Sequence, residues 1–348
     1  MYTNRIYKGI LFLLLSLSLF ACNEVIEPDT EERFFFRHNG ADLAMQVDGN
    51  ISSDVFILLL HGGPGGSGHE YNTGAYSELL EEKFAMVYLD QRGQGASQGS
   101  YNTEDLTLQL FSNDIAAAAQ MLKKKYGENI SLFLAGHSWG GLTGTHALLN
   151  TDVQTHLRGW MEWDGAHDIP LLNRYAVTMF HKYAREEIEK GNFVSEWQEI
   201  LDFVEGVDSL NVSLDDGGQI NSFGFDAESY LVQGADSGIT DNPRKWAFLS
   251  SPIAPAAMLS GNITAGGIQA ETEAASLTLE LGKIQIPSLF LSGKYDFVVP
   301  PRLAQSAFER VGTNEKEIHI FNKSGHSPMD TEAIAFVQVV SAFIDRYK

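Results

Sequence analysis

The chain has a single cysteine, Cys22, among 348 residues, so no disulfide can form within it. It holds no H-E-x-x-H sequence and no cluster of cysteines and histidines, so the usual zinc signatures are missing and no metal or other cofactor is expected. No carboxylate pair is placed as glycoside hydrolysis requires. Positive charge is scarce: 24 Lys and Arg stand against 45 Asp and Glu, a formal net charge of −21 at pH 7. A surface this acidic is repelled by a phosphate backbone, which argues against a nucleic-acid partner. Apolar runs are short. The one at residues 10–20 spans about 11 residues, the length of a signal-peptide core and too short for a stable membrane span.

That run follows Arg5 and Lys8 and ends in L-F-A-C, which places Cys22 at the expected cleavage point. The pattern resembles a bacterial lipoprotein signal, in which the cysteine becomes the lipidated first residue. The expectation is an exported protein held by an N-terminal lipid on a bacterial membrane, with residues 1–22 as signal. Residues 23–32 (N-E-V-I-E-P-D-T-E-E) carry five acids and a proline, a composition that cannot pack and reads as a solvated tether.

Beyond the tether, 44% hydrophobic residues suffice for a sizeable core. Residues 33–37 and 41–47 flank Asn39-Gly40, a strong hairpin signal. Residues 55–60 (V-F-I-L-L-L) and 83–90 are near-continuous apolar runs, as in strands buried on both faces. Further strands are expected at 131–135, 157–164, 287–293 and 316–321. Helical spacing fills 75–82, 106–126, 303–310 and 332–346. Strands alternating with helices argue for an α/β fold with a mostly parallel sheet covered on both faces. Between 168 and 285 the alternation stops. Residues 175–190 and 194–204 look helical, and a stretch rich in Gly, Ser, Asn and Asp follows. This segment reads as a cap inserted between two core parts, 33–167 and 286–348.

Two G-x-S-x-G sequences occur, around Ser97 and Ser138. The pattern gains meaning only between a strand and a helix. Ser97 lies in a polar loop followed by more loop. Ser138 follows S-L-F-L-A and precedes a segment that can be helical. A sharp strand-to-helix turn crowds its neighbours, hence Gly136 and Gly140, and lifts the hydroxyl above the sheet edge. It also sets the serine at a helix N-terminus, where the Trp139 N–H can stabilise a developing oxyanion.

A serine needs a base to act as a nucleophile. Of ten histidines, His326 stands just past the last strand and before the last helix, flanked by loop formers. His319 lies within that strand and is expected only to pack. His61 and His137 sit beside glycines and suggest structural or binding roles. Asp296 follows the penultimate strand, so Ser138, Asp296 and His326 fall in the order expected of this architecture. Asp164, after the preceding strand, is the alternative acid. The glycine-rich loop H-G-G-P-G-G-S-G at 61–68 offers a second oxyanion donor, Gly63 first and Gly62 second. Residues 63–68 also fit G-x-G-x-x-G, with Asp90 at the end of the next strand. A dinucleotide fingerprint needs its third glycine in a helix, whereas loop residues follow Gly68 here.

HGGPGG at 61–66, DQRGQGAS at 90–97, GHSWGG at 136–141, GKYDFVVP at 293–300 and SGHSP at 324–328 together resemble the proline iminopeptidase branch of the α/β-hydrolase fold. The likeness covers roughly 50–165 and 285–348. It implies an eight-stranded, mostly parallel sheet and acyl-enzyme hydrolysis by Ser138, His326 and Asp296. The implied substrate is a small peptide, amino-acid amide or ester with a free N-terminal residue. In that branch, cap carboxylates bind the substrate's free amine, and the cap here matches no recognised pattern. Glu162 near the sheet end, and Glu186, Glu187, Glu196 and Glu205 by composition, are the candidates. An esterase, or a non-catalytic binding protein on the same scaffold, are the other readings of the chain.

Overall fold

The computed structural model describes residues 31–99, 106–232 and 267–348. The expected signal, Cys22, tether residues 23–30 and the middle of the expected cap lie outside them. Tether residues Glu31 and Glu32 instead open the first strand, β1 (Glu31–His38). The Glu32 carboxylate accepts the Tyr126 hydroxyl at 2.6 Å and pairs with Lys125 at 2.5 Å, so partners on a helix draw this acidic end into the sheet.

β1 turns at Asn39-Gly40, both with positive φ, into β2 (Ala41–Gly49), an antiparallel hairpin. Then come β3 (Val55–Leu60), α1 (Gly74–Glu81), β4 (Ala85–Leu89), β5 (Gln98–Gly99) and α2 (Leu108–Tyr126). β6 (Ser131–His137), α3 (Trp139–Asn150) and β7 (Gly159–Trp163) follow. The strand order is β1-β2-β4-β3-β6-β7, continuing into β8 (Ser288–Gly293) and β9 (Lys316–Phe321). From β4 to β9 all neighbours are parallel. The eight strands on this path are those expected, and the two-residue β5 adds to them by pairing with β2.

The apolar run of β3 shows why a continuous pattern suits a parallel sheet. Leu58 and Leu60 pack on one face with Ile115, Leu122 and Ala147 of α2 and α3. Ile57 and Leu59 pack on the other with Tyr76 and Leu80 of α1 and with the C-terminal helix. Successive side chains point to opposite faces, and both faces are covered. Each such residue is stabilised by roughly 1.5–3 kcal/mol on burial. The register pairs Leu60 with Gly136, His137 with Trp163 and Gly293 with Phe321, so these strands end together at one edge. Their following loops converge there.

The cap leaves the core after β7 through α4 (Ile169–Lys190), α5 (Val194–Gly206) and α6 (Leu214–Leu231). α4 starts six residues before the expected 175. Asp168 caps it, accepting the Leu171 N–H at 3.0 Å, with Pro170 in the first turn. α6 lies within the stretch rich in Gly, Ser, Asn and Asp that follows the two expected cap helices. Ser213 caps it by accepting the Asp216 N–H at 3.1 Å, and Ile220, Gly224 and Ala227 are buried. That burial outweighs the cost of Gly217 and Gly218, about 1 kcal/mol each relative to alanine. Phe180, Trp197, Ile200 and Ala227 share a core into which Phe297, from the loop after β8, inserts. The chain returns through α7 (Gly267–Glu273), α8 (Pro301–Arg310), α9 (Pro328–Thr331) and α10 (Ala333–Tyr347). Among the described residues no helix is long and apolar enough to cross a membrane.

Candidate active site

Ser138 sits between β6 and α3 with φ 55° and ψ −122°, a strained conformation for a residue with a side chain. The turn closes because the residues two before and two after it have none. A Cβ on Gly136 would lie 2.4 Å from the Gly140 carbonyl oxygen, and one on Gly140 would lie 2.2 Å from that of Leu60. The Ser138 N–H donates to Trp163 O at 3.3 Å, and its carbonyl accepts from Gly141 and Ala166. The elbow is thus pinned to the end of β7. Ser97 has another role. It is buried, its hydroxyl donates to the Asp90 carbonyl, and it accepts the Ala44 N–H at 2.8 Å.

His326 lies in the loop between β9 and α9, and its Nδ1 meets Asp296 Oδ2 at 2.9 Å. Its carbonyl takes the Nε2–H of His137 at 2.8 Å. His137 Nδ1 in turn accepts the Tyr71 hydroxyl at 2.6 Å, and that hydroxyl oxygen accepts the Gly62 N–H at 2.9 Å. The chain of donors leaves His137 one consistent tautomer, protonated on Nε2. Burial first, then the nearby His326, pushes the His137 pKa down to about 3, so it is a neutral brace. The His137 and His326 rings stand 4.7 Å apart between centroids. Among the described residues no hydrogen bond joins Ser138 Oγ to the His326 ring. Such bonds commonly tighten only in the Michaelis complex.

Asp164, the alternative acid, is part of the same cluster. One ligand atom each of Asp164, Asp296 and His326 lie within 4.8 Å of one another, all fully buried or nearly so. Asp164 Oδ1 accepts the Gly293 N–H at 2.8 Å. Burial, then the charge of Asp296, holds the Asp164 carboxyl well above the usual range. Burial also raises Asp296, with Glu228 adding to it, but donors from Val299, Asp164 and Val298 oppose the rise. Two adjacent buried carboxylates do not both ionise readily, so the pair titrates as a unit. Asp296 is the member of the pair whose oxygen meets the imidazole. Burial lowers the His326 pKa, while Glu228 and Asp164 oppose the fall.

Among the described residues the backbone N–H groups of Gly63 and Trp139 have no acceptor, whereas that of Gly62 is taken by Tyr71. Gly63 has φ 132°, and a Cβ there would meet Gly65 N at 2.7 Å. Of the two glycines considered, Gly63 is the free donor. Both free groups belong to residues lining a cleft of about 410 Å³ that also receives Ser138. His61 is structural: Nδ1–H donates to Gly62 O, and Nε2 accepts the Gln91 N–H. His319 packs its ring beside Phe321.

The expected substrate carboxylates are placed elsewhere. Glu162 does not reach the cleft. It is fully buried in β7, where its carboxylate accepts from Thr145 at 3.3 Å and faces His167 at 3.2 Å. A strand residue of this parity points into the protein, under the loop rather than out of it. Glu187 binds Lys190 and Asn192 at the end of α4, Glu205 pairs with Arg185, and Glu196 binds Ser195. Glu186 is also absent from the cleft lining. The carboxylate that does line the cleft is Glu273, at the end of α7. It is half-buried, has no partner among the described residues, and burial raises its pKa. Sequence reasoning missed it because Q-A-E-T-E carries no signal of which glutamate turns inward.

Known proteins place this architecture. The α/β-hydrolase fold family matches residues 55–333. A probable aminopeptidase of Bacillus subtilis, YbaC, is 24% identical over 332 residues, covering 85% of this chain and 91% of its own. A proline iminopeptidase of Saccharolobus solfataricus is 25% identical over 298 residues, covering 83% and 84%. The crystal structure of a Mycobacterium smegmatis proline iminopeptidase superposes with a TM-score of 0.59 at 17% identity, over 91% of this chain and 98% of that one. With four-fifths of its length matched, the chain belongs to the α/β-hydrolase fold family and is a hydrolase similar in sequence to aminopeptidases and proline iminopeptidases.

Proposed function

We propose that the protein is a serine hydrolase that works through an acyl-enzyme on Ser138 and releases N-terminal residues from short peptides or amino-acid amides. The observations that carry the chemistry are the 2.9 Å bond from His326 Nδ1 to Asp296 and the strained Ser138 elbow. In this reading Asp296 fixes the imidazole tautomer, leaving Nε2 to take the Ser138 proton as Oγ attacks the acyl carbon. The oxyanion then meets the free N–H groups of Gly63 and Trp139. His326 returns the proton to the leaving amine, and a water deprotonated by the same imidazole cleaves the ester.

Glu273 supports the N-terminal preference. A Cβ placed on Gly217 would lie 3.6 Å from both Glu273 Oε2 and Asn173 Nδ2, so a charge acceptor and an amide converge on one wall of the cleft. An unpartnered half-buried carboxylate there favours an ammonium. An esterase is the second reading, favoured by the apolar stretch of lining that Ile169, Leu172, Val298 and Val299 provide. One plate separates them: aminoacyl arylamides including prolyl, their N-blocked counterparts, and p-nitrophenyl esters. Preference for the free amine supports the peptidase. Equal cleavage of free and blocked forms rejects it. Attachment through a lipid on Cys22 belongs to the same reading, and Cys22→Ser would then move the protein from the membrane to the soluble fraction.

A further inference from the structure

We infer that Glu228, on cap helix α6, is a positioning residue whose carboxylate latches the cap to both loops that present Asp296 and His326. The inference rests on the reading of His326 as base and Asp296 as its partner. Glu228 Oε2 accepts the His326 backbone N–H at 2.9 Å, and Oε1 accepts the Phe297 N–H at 3.2 Å. Phe297 is the residue directly after Asp296. One side chain from the cap therefore holds the backbone of the base and the backbone beside the acid, each with its own oxygen.

The surroundings are shaped for this contact. A Cβ on Gly325 would lie 2.3 Å from Glu228 Oε2, so only glycine before His326 admits the carboxylate. One turn earlier, Gly224 lets α6 approach the same loop: a Cβ there would lie 3.2 Å from Val298 N. Phe225 sets its ring against that of His326, 6.0 Å between centroids and at 78°. Phe297 stacks on Phe180 of α4 at 5.1 Å, so the acid-bearing loop is clamped from above and from the side.

Charge is the second consequence. The titratable groups facing the imidazole are Asp296 and Asp164 from the sheet loops, His137 with Tyr71 behind it, and Glu228 from the cap. An ionised Glu228 favours the imidazolium that forms as Ser138 is deprotonated. Glutamine cannot replace it. Its single carbonyl oxygen serves one N–H, and its NH₂ would oppose the other.

The test uses the full chain and two probes, an aminoacyl p-nitroanilide and p-nitrophenyl acetate. Glu228→Gln is expected to lower kcat on both probes by ~10- to 100-fold, as a misplaced base does, with KM nearly unchanged. The acid limb of kcat/KM moves to lower pH, because a negative charge beside His326 is gone. Glu228→Asp, which keeps the charge, restores the pH limb and part of kcat, and serves if the glutamine variant fails to fold. Unchanged kcat and pH profile in either folded variant overturns the latch. So does a rise in KM confined to the free-amine probe, which would make Glu228 a substrate contact. The underlying reading fails separately, if His326→Ala or Ser138→Ala stays active.

Discussion

In the sheet, each residue of the proposed site sits on a loop at the carboxyl end of a parallel strand, and strand register decides where it lies. Ser138 follows β6, Asp164 follows β7, Asp296 follows β8 and His326 follows β9, on four adjacent strands. The cap meets the core through side chains on its helices: Glu228 on α6 holds the His326 loop, and Thr272 and Glu273 at the end of α7 line the cleft. In the proposed reading the two regions divide the work: the sheet would place the chemistry and the cap would select among acyl groups.

The sharpest way to break that division is at the elbow. Ser138→Ala is expected to lower kcat on the order of 10⁴-fold or more, on every substrate alike, because the nucleophile is lost whatever the cap selects. Burst-phase acyl-enzyme formation, read by stopped flow, should vanish with it. Residual activity near wild type would place the nucleophile elsewhere. At the cap the effect should be smaller and selective. Glu273→Gln is expected to raise KM about 10-fold for free-amine arylamides and to leave p-nitrophenyl esters within about two-fold, as one exposed-edge charge contact would give. An equal effect on both classes would remove Glu273 from amine recognition.

The same contrast governs what could be read from the sequence. The elbow was legible because a strained turn leaves a mark: Gly136 and Gly140 have no alternative when a Cβ would strike backbone at 2.4 and 2.2 Å. The positions of Asp296 and His326 were legible because parallel strands put the loops that follow them at one predictable end. The choice between Asp296 and Asp164 was less so, since the two carboxyls share one buried cluster, and only the His326 Nδ1 bond separates them. The cap left no such mark. Its α6 contains Gly217, Gly218 and Gly224, which weaken the helical pattern, yet Gly224 is where the helix touches the Asp296 loop. Glu162 misled for the converse reason. Its place at the strand end was read correctly, but a strand has two faces, and its carboxylate turned toward Thr145 and His167.

The core also stores neutral histidines, which ties its stability to pH in a way the exposed cap helices do not share. Burial drives the His61 pKa down to about 4, against 6.5 in the unfolded chain. The unfolded state then binds more protons, so this contribution is intact above about pH 6.5 and is lost as pH falls toward 4. Asp90 acts in the opposite sense. Burial raises its pKa to about 6, so its share of stability grows as pH falls through 6. Comparing wild type with His61→Gln isolates the histidine, since Asp90 is present in both. Between pH 6 and 4.5 the stability of the variant should fall less steeply, by about 1.4 kcal/mol per pH unit at most. Denaturant midpoints at three pH values measure this. Parallel slopes would mean that His61 is not neutral in the fold.

The smallest effect should come from the other G-x-S-x-G. Ser97 is 3% exposed and spends both of its bonding functions on backbone, donating to Asp90 and accepting from Ala44 of β2. Asp90 in turn accepts the N–H groups of Gly68 and Ala96, at the foot of the glycine-rich loop that presents Gly63. Ser97→Ala leaves the buried Ala44 N–H without its acceptor, which costs roughly 1–3 kcal/mol. The melting temperature should drop by a few degrees while kcat stays within about two-fold of wild type. The two serines share a five-residue pattern and differ only in what surrounds it. One is free on a strained turn and the other is consumed by hydrogen bonds. A variant at Ser97 that melted normally but lost activity would reverse that assignment, and with it the claim that the strand ends, not the motif, locate the chemistry.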